Sequence, residues 1–371
     1  MVQIAIIGGG IGGLTAALAL RQCGFEPEVF EQAPALLDVG SAIALWPNAT
    51  RVLDRLQLID AILERAGVLE EVRWLDQHGR LINRVRISGV PRFPSVALHR
   101  ADLQHILLQA LPERSIHLGH TLVKYEQYGD RMIAKFMNGN SIEPDFLIAA
   151  DGIHSRVRAQ FINDSDPIER GYTIWRGISP TILSAGTAFE LYGCGKRFGI
   201  GPIGLGRTGW WATVNNNHAD DLSKLFAGWY RPVVELIETT PPSSILKTGA
   251  FDRLPVRNWG DGRMTMIGDA IHPTTPNLGQ GGCLAMEDAV VLARCFEKHG
   301  AKEEALRRYE RCRYKRTTMI SRYSRYYGSI GQSENVLVRS MRRTALALVP
   351  EALALRLMQI FFDYDATATN V

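Results

Sequence analysis

Three glycines near the start of the chain have the spacing of a phosphate-binding turn. Gly8, Gly10 and Gly13 form G-x-G-x-x-G between the apolar run Val2–Ile7 and the helical stretch Leu14–Leu20. In this strand–turn–helix context, Gly8 permits the turn, Gly10 lets the backbone approach a pyrophosphate, and Gly13 lets helix and strand pack closely. The sequence therefore predicts a dinucleotide site here.

An acidic residue after this pattern indicates the type of nucleotide. The helix that begins near Ile11 offers free N–H groups and a positive dipole end to phosphates. Glu31 ends the predicted second strand, Glu28–Phe30, about 20 residues after the glycines. A carboxylate there accepts hydrogen bonds from ribose hydroxyls and repels a 2′-phosphate. We therefore expect FAD or NAD in this pocket, and not NADP.

Two other stretches match the glycine pattern, and they serve as a control. Gly199–Gly204 is interrupted by Pro202, and Gly204–Gly209 precedes the predicted strand Trp210–Val214. Neither match opens a helix, so we interpret both as turns in a sheet. The N-terminal match is informative because its context is right.

Two further acidic residues stand where predicted strands end. Asp151 and Gly152 follow the apolar run Phe146–Ala150, and Asp269 follows Met264–Gly268. Open α/β sheets bind ligands beyond the carboxyl ends of their strands. Both carboxylates are therefore expected at the ligand-binding edge of one parallel sheet.

Together these motifs resemble those of the single-component (group A) FAD-dependent monooxygenases, the aromatic hydroxylase family. That family combines an N-terminal GxGxxG, a central Asp-Gly and a later Gly-Asp, and all three occur here in that order. The resemblance extends from residue 2 to about residue 330. The members that the chain resembles include urate, salicylate and 3-hydroxybenzoate hydroxylases and zeaxanthin epoxidases.

The resemblance implies roles for individual residues. Glu31 would hold the adenosine ribose, Asp269 the ribityl hydroxyls, and the loop Pro276–Gly282 would border the isoalloxazine ring. The glycines of that loop permit close backbone approach, and the positive end of the predicted helix Cys283–Lys298 would stabilise reduced, anionic flavin. The full set of implied cofactor-binding residues is Gly8, Gly10, Ile11, Gly13, Glu31, Arg100, Asp151, Gly152, Arg158, Asp269, Gly279, Gly281 and Gly282.

The resemblance also implies an activity. NAD(P)H would reduce non-covalently bound FAD, O₂ would form a flavin C4a-hydroperoxide, and one oxygen would pass to a small aromatic, heteroaromatic or isoprenoid-type substrate. Pro276 and Gln280 would lie at the reacting ring, and Arg197 would orient a polar or anionic group of the substrate. The pocket candidates on the predicted second sheet are Trp175, Trp210, Trp211 and Asn215.

Departures from the family leave the substrate open. Trp210 or Trp211 occupies the position where the resemblance to urate hydroxylases implies a tyrosine. Asn215 occupies the position where the resemblance to phenol hydroxylases implies a histidine. The sequence does not name the substrate, nor decide between NADH and NADPH. The alternatives are a flavin-dependent NAD(P)H oxidoreductase or oxidase without oxygen insertion, and a non-catalytic flavoprotein. We interpret His272, which stands before Pro273, as structural.

Alternating strand and helix patterns predict a mixed α/β fold. We expect a Rossmann-like FAD-binding domain (1–70, 97–170 and 255–330), an antiparallel β-sheet substrate domain (71–96 and 171–254) and a C-terminal helical segment (331–371). The predicted local elements include a β-hairpin around Gln77–Gly79, a strand over Ser141–Ala150, a helix over Asp220–Thr239 interrupted at Pro232, and a helix from Pro47 capped by Asn48.

Composition favours an ordinary globular protein. The chain has 371 residues and a formal net charge of +4, which argues for no nucleic-acid partner. Five scattered cysteines without CxxC spacing favour reduced thiols and a cytoplasmic location, and no metal site is expected. No apolar run approaches the roughly 20 residues of a membrane span, and no secretory signal is recognised.

Two C-terminal features have open interpretations. The run Arg307–Arg325 is strongly basic; we favour a solvated helix face over contact with a membrane, a partner or NADPH phosphates. For the apolar stretches Ala345–Val349 and Leu353–Phe362 we favour core packing. The alternative is contact with a membrane or delivery of an apolar substrate.

Overall fold

The computed structural model describes residues 2–35, 40–88, 93–183, 185–216 and 221–371. Within them lie eighteen strands and eleven helices. The strands are β1 Gln3–Ile7, β2 Glu26–Phe30, β3 Ala42–Leu45, β4 Gly67–Leu69, β5 Glu71–Asp76, β6 Leu81–Arg86, β7 Ser95–His99, β8 Ile116–His117, β9 Leu122–Tyr128, β10 Arg131–Phe136, β11 Ser141–Ile142, β12 Phe146–Ala149, β13 Ile168–Ser179, β14 Thr187–Tyr192, β15 Lys196–Pro202, β16 Thr208–Asn215, β17 Leu246–Asp252 and β18 Met264–Met266. The helices are α1 Ile11–Gln22, α2 Pro47–Arg55, α3 Ile59–Leu63, α4 Arg100–Gln109, α5 Arg156–Phe161, α6 Leu222–Leu225, α7 Arg231–Thr239, α8 Gly281–His299, α9 Glu303–Gly331, α10 Val336–Leu348 and α11 Glu351–Phe362.

A five-stranded parallel sheet carries the three nucleotide motifs. Its strand order is β18–β12–β1–β2–β8, and every neighbouring pair is parallel. β12 and β18 are buried throughout, as expected for a sheet covered on both faces. Because the strands run the same way, Gly8, Asp151 and Gly268 all follow strand ends at one edge. The expected α/β fold is confirmed.

A seven-stranded sheet forms the second large layer. Its order is β17–β13–β16–β15–β14–β5–β6, and only the β14–β5 pair is parallel. One face packs its apolar side chains against α6 and α7. Small antiparallel sheets, β3–β7–β4 and β9–β10–β11, complete the β structure. The predicted β5–β6 hairpin is present; the domain boundaries stay a prediction.

Three local predictions need correction. Residues 141–150 form two strands in different sheets, because Pro144 between them has no N–H for a ladder. The predicted helix over 220–239 is two helices, with Pro232 in the first turn of α7, where proline fits; Asp220 lies outside the described residues. Asn48 lies inside α2, whose N-cap is Trp46.

The basic helix α9 is not simply a solvated face. Arg313 and Arg316 are buried and form ion pairs with Glu287 on α8, while Arg322 is exposed. Tyr309 is fully buried, whereas Tyr323 is 52% exposed. Part of the basic run therefore holds two helices together, because a buried guanidinium needs a carboxylate partner.

The C-terminal helices form where expected but do not pack as expected. α10 and α11 are separated by Pro350, yet α10 buries no residue and α11 buries only Ala354. Core packing was therefore the wrong interpretation. Among the described residues no single helix is long and apolar enough to span a membrane. α10 and α11 together have the required length and apolar composition, but they are bent by 106° relative to each other.

Candidate active site

The glycine turn has the geometry that its spacing predicts. Gly8 has φ +111°, and a Cβ added there would lie 2.4 Å from the Ala150 carbonyl oxygen. A Cβ on Gly13 would lie 1.9 Å from the Gly8 carbonyl oxygen, whereas one on Gly10 would meet nothing within 4 Å. α1 then begins at Ile11 without a side-chain cap. Its first N–H groups are therefore free to bind an anion beside Gly10.

Glu31 supports this turn from the end of β2. Its Oε2 accepts a hydrogen bond from the Gly9 N–H at 2.6 Å, and its Oε1 accepts one from the Ala33 N–H at 2.9 Å. Gln104, which sequence reasoning missed, donates to the Gly9 carbonyl at 2.9 Å. Each carboxylate oxygen keeps a lone pair, so ribose binding by Glu31 stays a prediction compatible with the geometry.

The Asp-Gly motif presents a carboxylate with one unused oxygen. Asp151 Oδ2 accepts from the Arg156 N–H at 2.8 Å, while its buried Oδ1 has no partner among the described residues. Burial raises the pKa of this carboxyl. Gly152 has φ +78°, a conformation that favours glycine. A buried unpaired oxygen is costly, so its position fits a hydroxyl donor supplied by a bound cofactor.

Arg158 is engaged by protein groups in this structure, so its contact with the cofactor stays a prediction. Its side chain is buried and forms an ion pair with Asp164 at 2.6 Å. It also donates to the carbonyl oxygen of Ile271 at 2.6 Å. Arg158 therefore ties the Asp-Gly motif to the Gly-Asp motif.

The Gly-Asp motif is held by a buried carboxylate on α8. Asp288 Oδ2 accepts from the Gly268 N–H at 2.9 Å and lies 2.5 Å from His272 Nε2, and its Oδ1 accepts from Arg313. Burial acts to raise the pKa of Asp288, but His272 and Arg313 outweigh it and lower the pKa. His272 is thus engaged inside the fold, as its structural interpretation requires.

Asp269, in contrast, has an accessible side chain at the sheet edge. Although the side chain has accessible surface, it lies deep in a cleft, and desolvation by the surrounding atoms raises the pKa of Asp269, while the nearby charges of His272 and Arg100 act to lower it. Arg100 opens α4 and is itself exposed. The two predicted cofactor residues are therefore close enough to interact and are both accessible.

The loop from Pro276 leads into a long helix with an open N-terminus. Pro276 is exposed, and Gly279 has φ +60°. α8 begins at Gly281 and has no side-chain cap at Gln280. A Cβ on Gly282 would lie 3.0 Å from Ile43, so this turn leaves little room for side chains. The positive end of a 19-residue helix therefore opens at this loop.

A buried amide pair stands behind the loop. Asn48 Nδ2 donates to Gln280 Oε1 at 2.9 Å and to Glu287 Oε1 at 2.5 Å. Both amides are fully buried, yet Asn48 Oδ1, Gln280 Nε2 and the nearby Trp46 Nε1 have no partner among the described residues. Three orphaned polar atoms around one loop fit the polar edge of a flavin, so the residues present suit FAD.

Arg197 joins the seven-stranded sheet to this loop. It is 1% exposed and donates from Nε to Gln332 at 3.0 Å, from Nη1 to Glu190 at 3.1 Å, and from Nη2 to Asn277. Its guanidinium also lies 5.4 Å from the ring of Trp211. Arg197 is thus beside the predicted flavin loop, but protein groups already use all three of its nitrogens.

The four other pocket candidates divide between the two faces of the sheet. Trp210 and Trp175 are buried in the core against α7, on the face opposite Arg197, which corrects their assignment to a pocket. Trp211 lies on the Arg197 face, because successive strand residues alternate. Asn215 shares that face, but its amide is bonded to Gln332 and Glu334 at the end of α9.

Sequence reasoning missed Arg176 on the same face. It is paired across strands with Trp211, and its only hydrogen bond among the described residues goes to Thr248 at 3.1 Å. No carboxylate in the described part of the chain forms an ion pair with it, and burial lowers its pKa. Strand alternation predicts that Arg176 and its neighbour Trp175 lie on opposite faces of the sheet. It does not predict which of the two faces lies next to the loop.

Comparisons with known proteins agree with this site. The family described as FAD binding domain matches residues 1–176 and 231–324, more than half of the chain. The aurachin C monooxygenase/isomerase of Stigmatella aurantiaca is 37% identical over 361 residues, covering 94% of each chain. The FAD-dependent urate hydroxylase of Klebsiella pneumoniae is 34% identical over 329 residues, covering 83% of this chain and 85% of that relative.

A solved structure shows the same architecture. Klebsiella pneumoniae HpxO complexed with FAD and uric acid matches with a TM-score of 0.91 and 29% identity, over 97% of this chain and 96% of that chain. That structure contains FAD, and this chain has unpaired polar atoms and uncapped helix N-termini that suit the same cofactor. The chain therefore belongs to the FAD-dependent monooxygenases and is an oxidoreductase that binds FAD.

Proposed function

We propose that this enzyme uses NAD(P)H and O₂ to hydroxylate a small aromatic or heteroaromatic compound. The observation that carries the proposal is the side chain of Asn277, on the loop predicted to border the flavin. Its Nδ2 donates to Tyr172 Oη at 2.9 Å, and its Oδ1 accepts from Arg197. Both partners belong to one face of the seven-stranded sheet. That face is the natural second wall of a substrate pocket.

The cofactor supplies the electron transfer and oxygen chemistry, and the protein supplies position and charge. The open N-terminus of α8 would favour negative charge on a flavin held beside the loop Pro276–Gly282. Asn48 fixes the amide of Gln280, so that its free Nε2–H donates at a constant place. These groups bind and orient, and none of them needs to transfer a proton.

Substrate recognition would fall to Trp211 and Arg176. An indole offers a flat surface to an aromatic ring. Arg176 has a guanidinium without a carboxylate partner among the described residues, so it would pair with an anionic or carbonyl oxygen of the substrate. Arg197 is neutralised by Glu190 and would act by positioning Asn277. The urate-binding relative supports a heteroaromatic ring as the substrate.

The test is a screen of the flavin-loaded enzyme against aromatic and heteroaromatic acids, phenols and lactams. A true substrate should stimulate NAD(P)H oxidation and give a product that carries one ¹⁸O atom from ¹⁸O₂. Stimulated oxidation that yields only H₂O₂, with no labelled product from any compound, would instead favour an oxidase. A flavin that NAD(P)H never bleaches would favour a non-catalytic flavoprotein.

We also propose a cytoplasmic location. All five cysteines are free thiols in the structure, and Cys283 and Cys295 are buried. Burial raises the pKa of each of these two thiols to about 12, so neither is a ready thiolate. Separation of cell fractions followed by detection of the protein tests this location.

A further inference from the structure

The outward sides of the two C-terminal helices carry an unusual amount of apolar surface. Leu337, Met341 and Leu348 on α10 are each more than 70% exposed, and large apolar residues of α11 are about half exposed. The spacings are four and seven residues on α10 and four and three on α11, which are whole numbers of helical turns, so the side chains share one side of each helix. We call this set the C-terminal apolar face; it consists of Leu337, Met341, Leu348, Leu353, Leu357 and Ile360.

The sides of the helices that meet the protein are held largely by polar contacts. Arg342 Nη1 donates to the carbonyl oxygens of Ile330 and Gly331 at 3.0 and 2.8 Å. Asn83 Nδ2 on β6 donates to the carbonyl oxygens of Leu346 and Val349. A surface helix of a globular protein ordinarily turns its apolar stripe inward. α10 therefore has bonded polar groups on its inner side and leucines outside. α11 also packs inward through aromatic rings, because Phe361 contacts Tyr323 and Phe362 stacks on Trp46.

The charges around this face are almost all positive. Residues 336–362 contain Arg339, Arg342, Arg343 and Arg356, and Glu351 is the single acid. Arg339 and Arg356 form no ion pair among the described residues, and neither does Arg322 on α9. A segment with exposed leucines and an excess of arginines over acids has the composition of a helix that lies in a lipid interface.

We propose that the C-terminal apolar face docks the enzyme on the surface of an anionic lipid bilayer. Arg356, which is exposed beside Leu357 on α11, would meet lipid phosphates while the leucines enter the acyl boundary. A second copy of the chain complements this face poorly, because a two-fold contact would bring the same arginines against each other. The 106° bend lets the helices lie along a surface without crossing the bilayer.

The experiment is flotation of the flavin-loaded enzyme with vesicles. One vesicle set is phosphatidylcholine, and the other contains about one-third phosphatidylglycerol, which gives the anionic surface that arginines favour. We expect binding to the anionic vesicles that weakens at high salt. The triple variant Leu337→Ser, Met341→Ser, Leu357→Ser should bind at least about tenfold more weakly, because three apolar anchors are lost.

A matched control removes apolar surface elsewhere. The double variant Met137→Ser, Val123→Ser changes residues that are 65% and 46% exposed near the β9–β10 sheet, and it should bind vesicles like the parent enzyme. Flavin content reports whether each variant is folded. Equal binding by the triple variant, or no binding by the parent enzyme, overturns the proposal. So does a stable parent dimer that the triple variant converts to monomers without any vesicle binding.

Discussion

Gly10 and Gly13 make different demands at the residue scale. A Cβ on Gly13 would strike the Gly8 carbonyl of the protein itself, whereas one on Gly10 would enter open space beside the free N-terminus of α1. We therefore expect Gly13 to be required for folding and Gly10 for admitting a pyrophosphate. The two glycines of one motif should therefore have separable effects, one on cofactor binding and the other on stability.

We expect Gly10→Val to lose FAD while the apoprotein keeps its stability. Gly13→Ala should destabilise the apoprotein by about 1–3 kcal/mol, because its new methyl group overlaps backbone. Asp269→Ala and Glu31→Ala should weaken FAD retention less than Gly10→Val does. The flavin-to-protein absorbance ratio and thermal unfolding of the apoprotein measure both effects. Full FAD occupancy in Gly10→Val would contradict this assignment.

Arg176 and Arg197 share one face of the seven-stranded sheet, and their substitutions should also have different effects, one on substrate binding and the other on stability. Arg176→Gln should raise KM about tenfold or more with FAD and stability retained, because a charge-assisted bond to substrate is lost. Arg197→Gln should cost about 3 kcal/mol of stability, because it leaves Glu190 without its buried cation. Steady-state kinetics and denaturant unfolding of both variants test this pair. A KM unchanged in Arg176→Gln would remove it from substrate recognition.

At the scale of elements, α9 contacts the edge of the parallel sheet through a titratable group. Glu310 is 7% exposed, and its Oε1 accepts from Thr265 on β18 at 2.7 Å and from Arg307 at 2.8 Å. Burial raises the pKa of this carboxyl to about 7, and Arg307 offsets only part of that effect. The packing of α9 on β18 is therefore sensitive to pH.

The stability of the folded protein should fall as the pH rises through this range. Because the folded pKa lies above the ordinary value of 4.5, the stabilisation by protonated Glu310 is complete below about pH 4.5 and is lost as the pH rises through 7. The parent protein should therefore lose up to about 3 kcal/mol relative to Glu310→Gln between pH 4.5 and pH 8. Denaturant unfolding at several pH values measures it. Glu303→Gln, on the exposed start of α9, is the control, and parallel pH profiles for the parent and Glu310→Gln would refute the expectation.

At the scale of the whole molecule, few polar contacts connect the flavin loop to the large sheet. Asn277 bonds Arg197 and Tyr172 of that sheet and also the Ser324 carbonyl of α9 at 3.0 Å. Asp252 on β17 pairs with Arg325 of α9 at 3.0 Å. The alignment of the loop with the sheet, the two proposed walls of the pocket, should therefore depend on these residues, which are far apart in sequence.

Asn277→Ala should therefore loosen the pocket without emptying it of FAD. We expect a larger share of consumed NAD(P)H to appear as H₂O₂, because a misaligned substrate no longer receives the oxygen. The ratio of H₂O₂ to NAD(P)H in the presence of a true substrate measures this. Asn216→Ala, at the exposed end of the same sheet, is the matched control. If both variants give the parent ratio, Asn277 does not control coupling.

The sequence predicted the nucleotide half of the site well, and the pocket half less well. The glycine turn, both acidic motifs and the helix after Gly282 lie where their patterns place them, and the predicted family is confirmed. Trp175 and Trp210 do not line the expected pocket, because they pack in a core whose partners the local sequence does not show. Asn48 was predicted only to cap a helix, but in the structure its buried amide bonds Gln280 at the end of the loop that starts at Pro276.

The sequence by itself determined the parallel sheet, its three ligand-edge motifs and the class of cofactor. These follow from glycine geometry, strand and helix periodicity and carboxylates at strand ends, which are properties of adjacent residues. Tertiary structure alone decided which sheet face meets the loop, that Asn48 reaches Gln280 across 232 positions, and that α10 and α11 turn their leucines outward. The physical reason is that burial and pairing depend on partners distant in the chain, and a local pattern does not specify those partners.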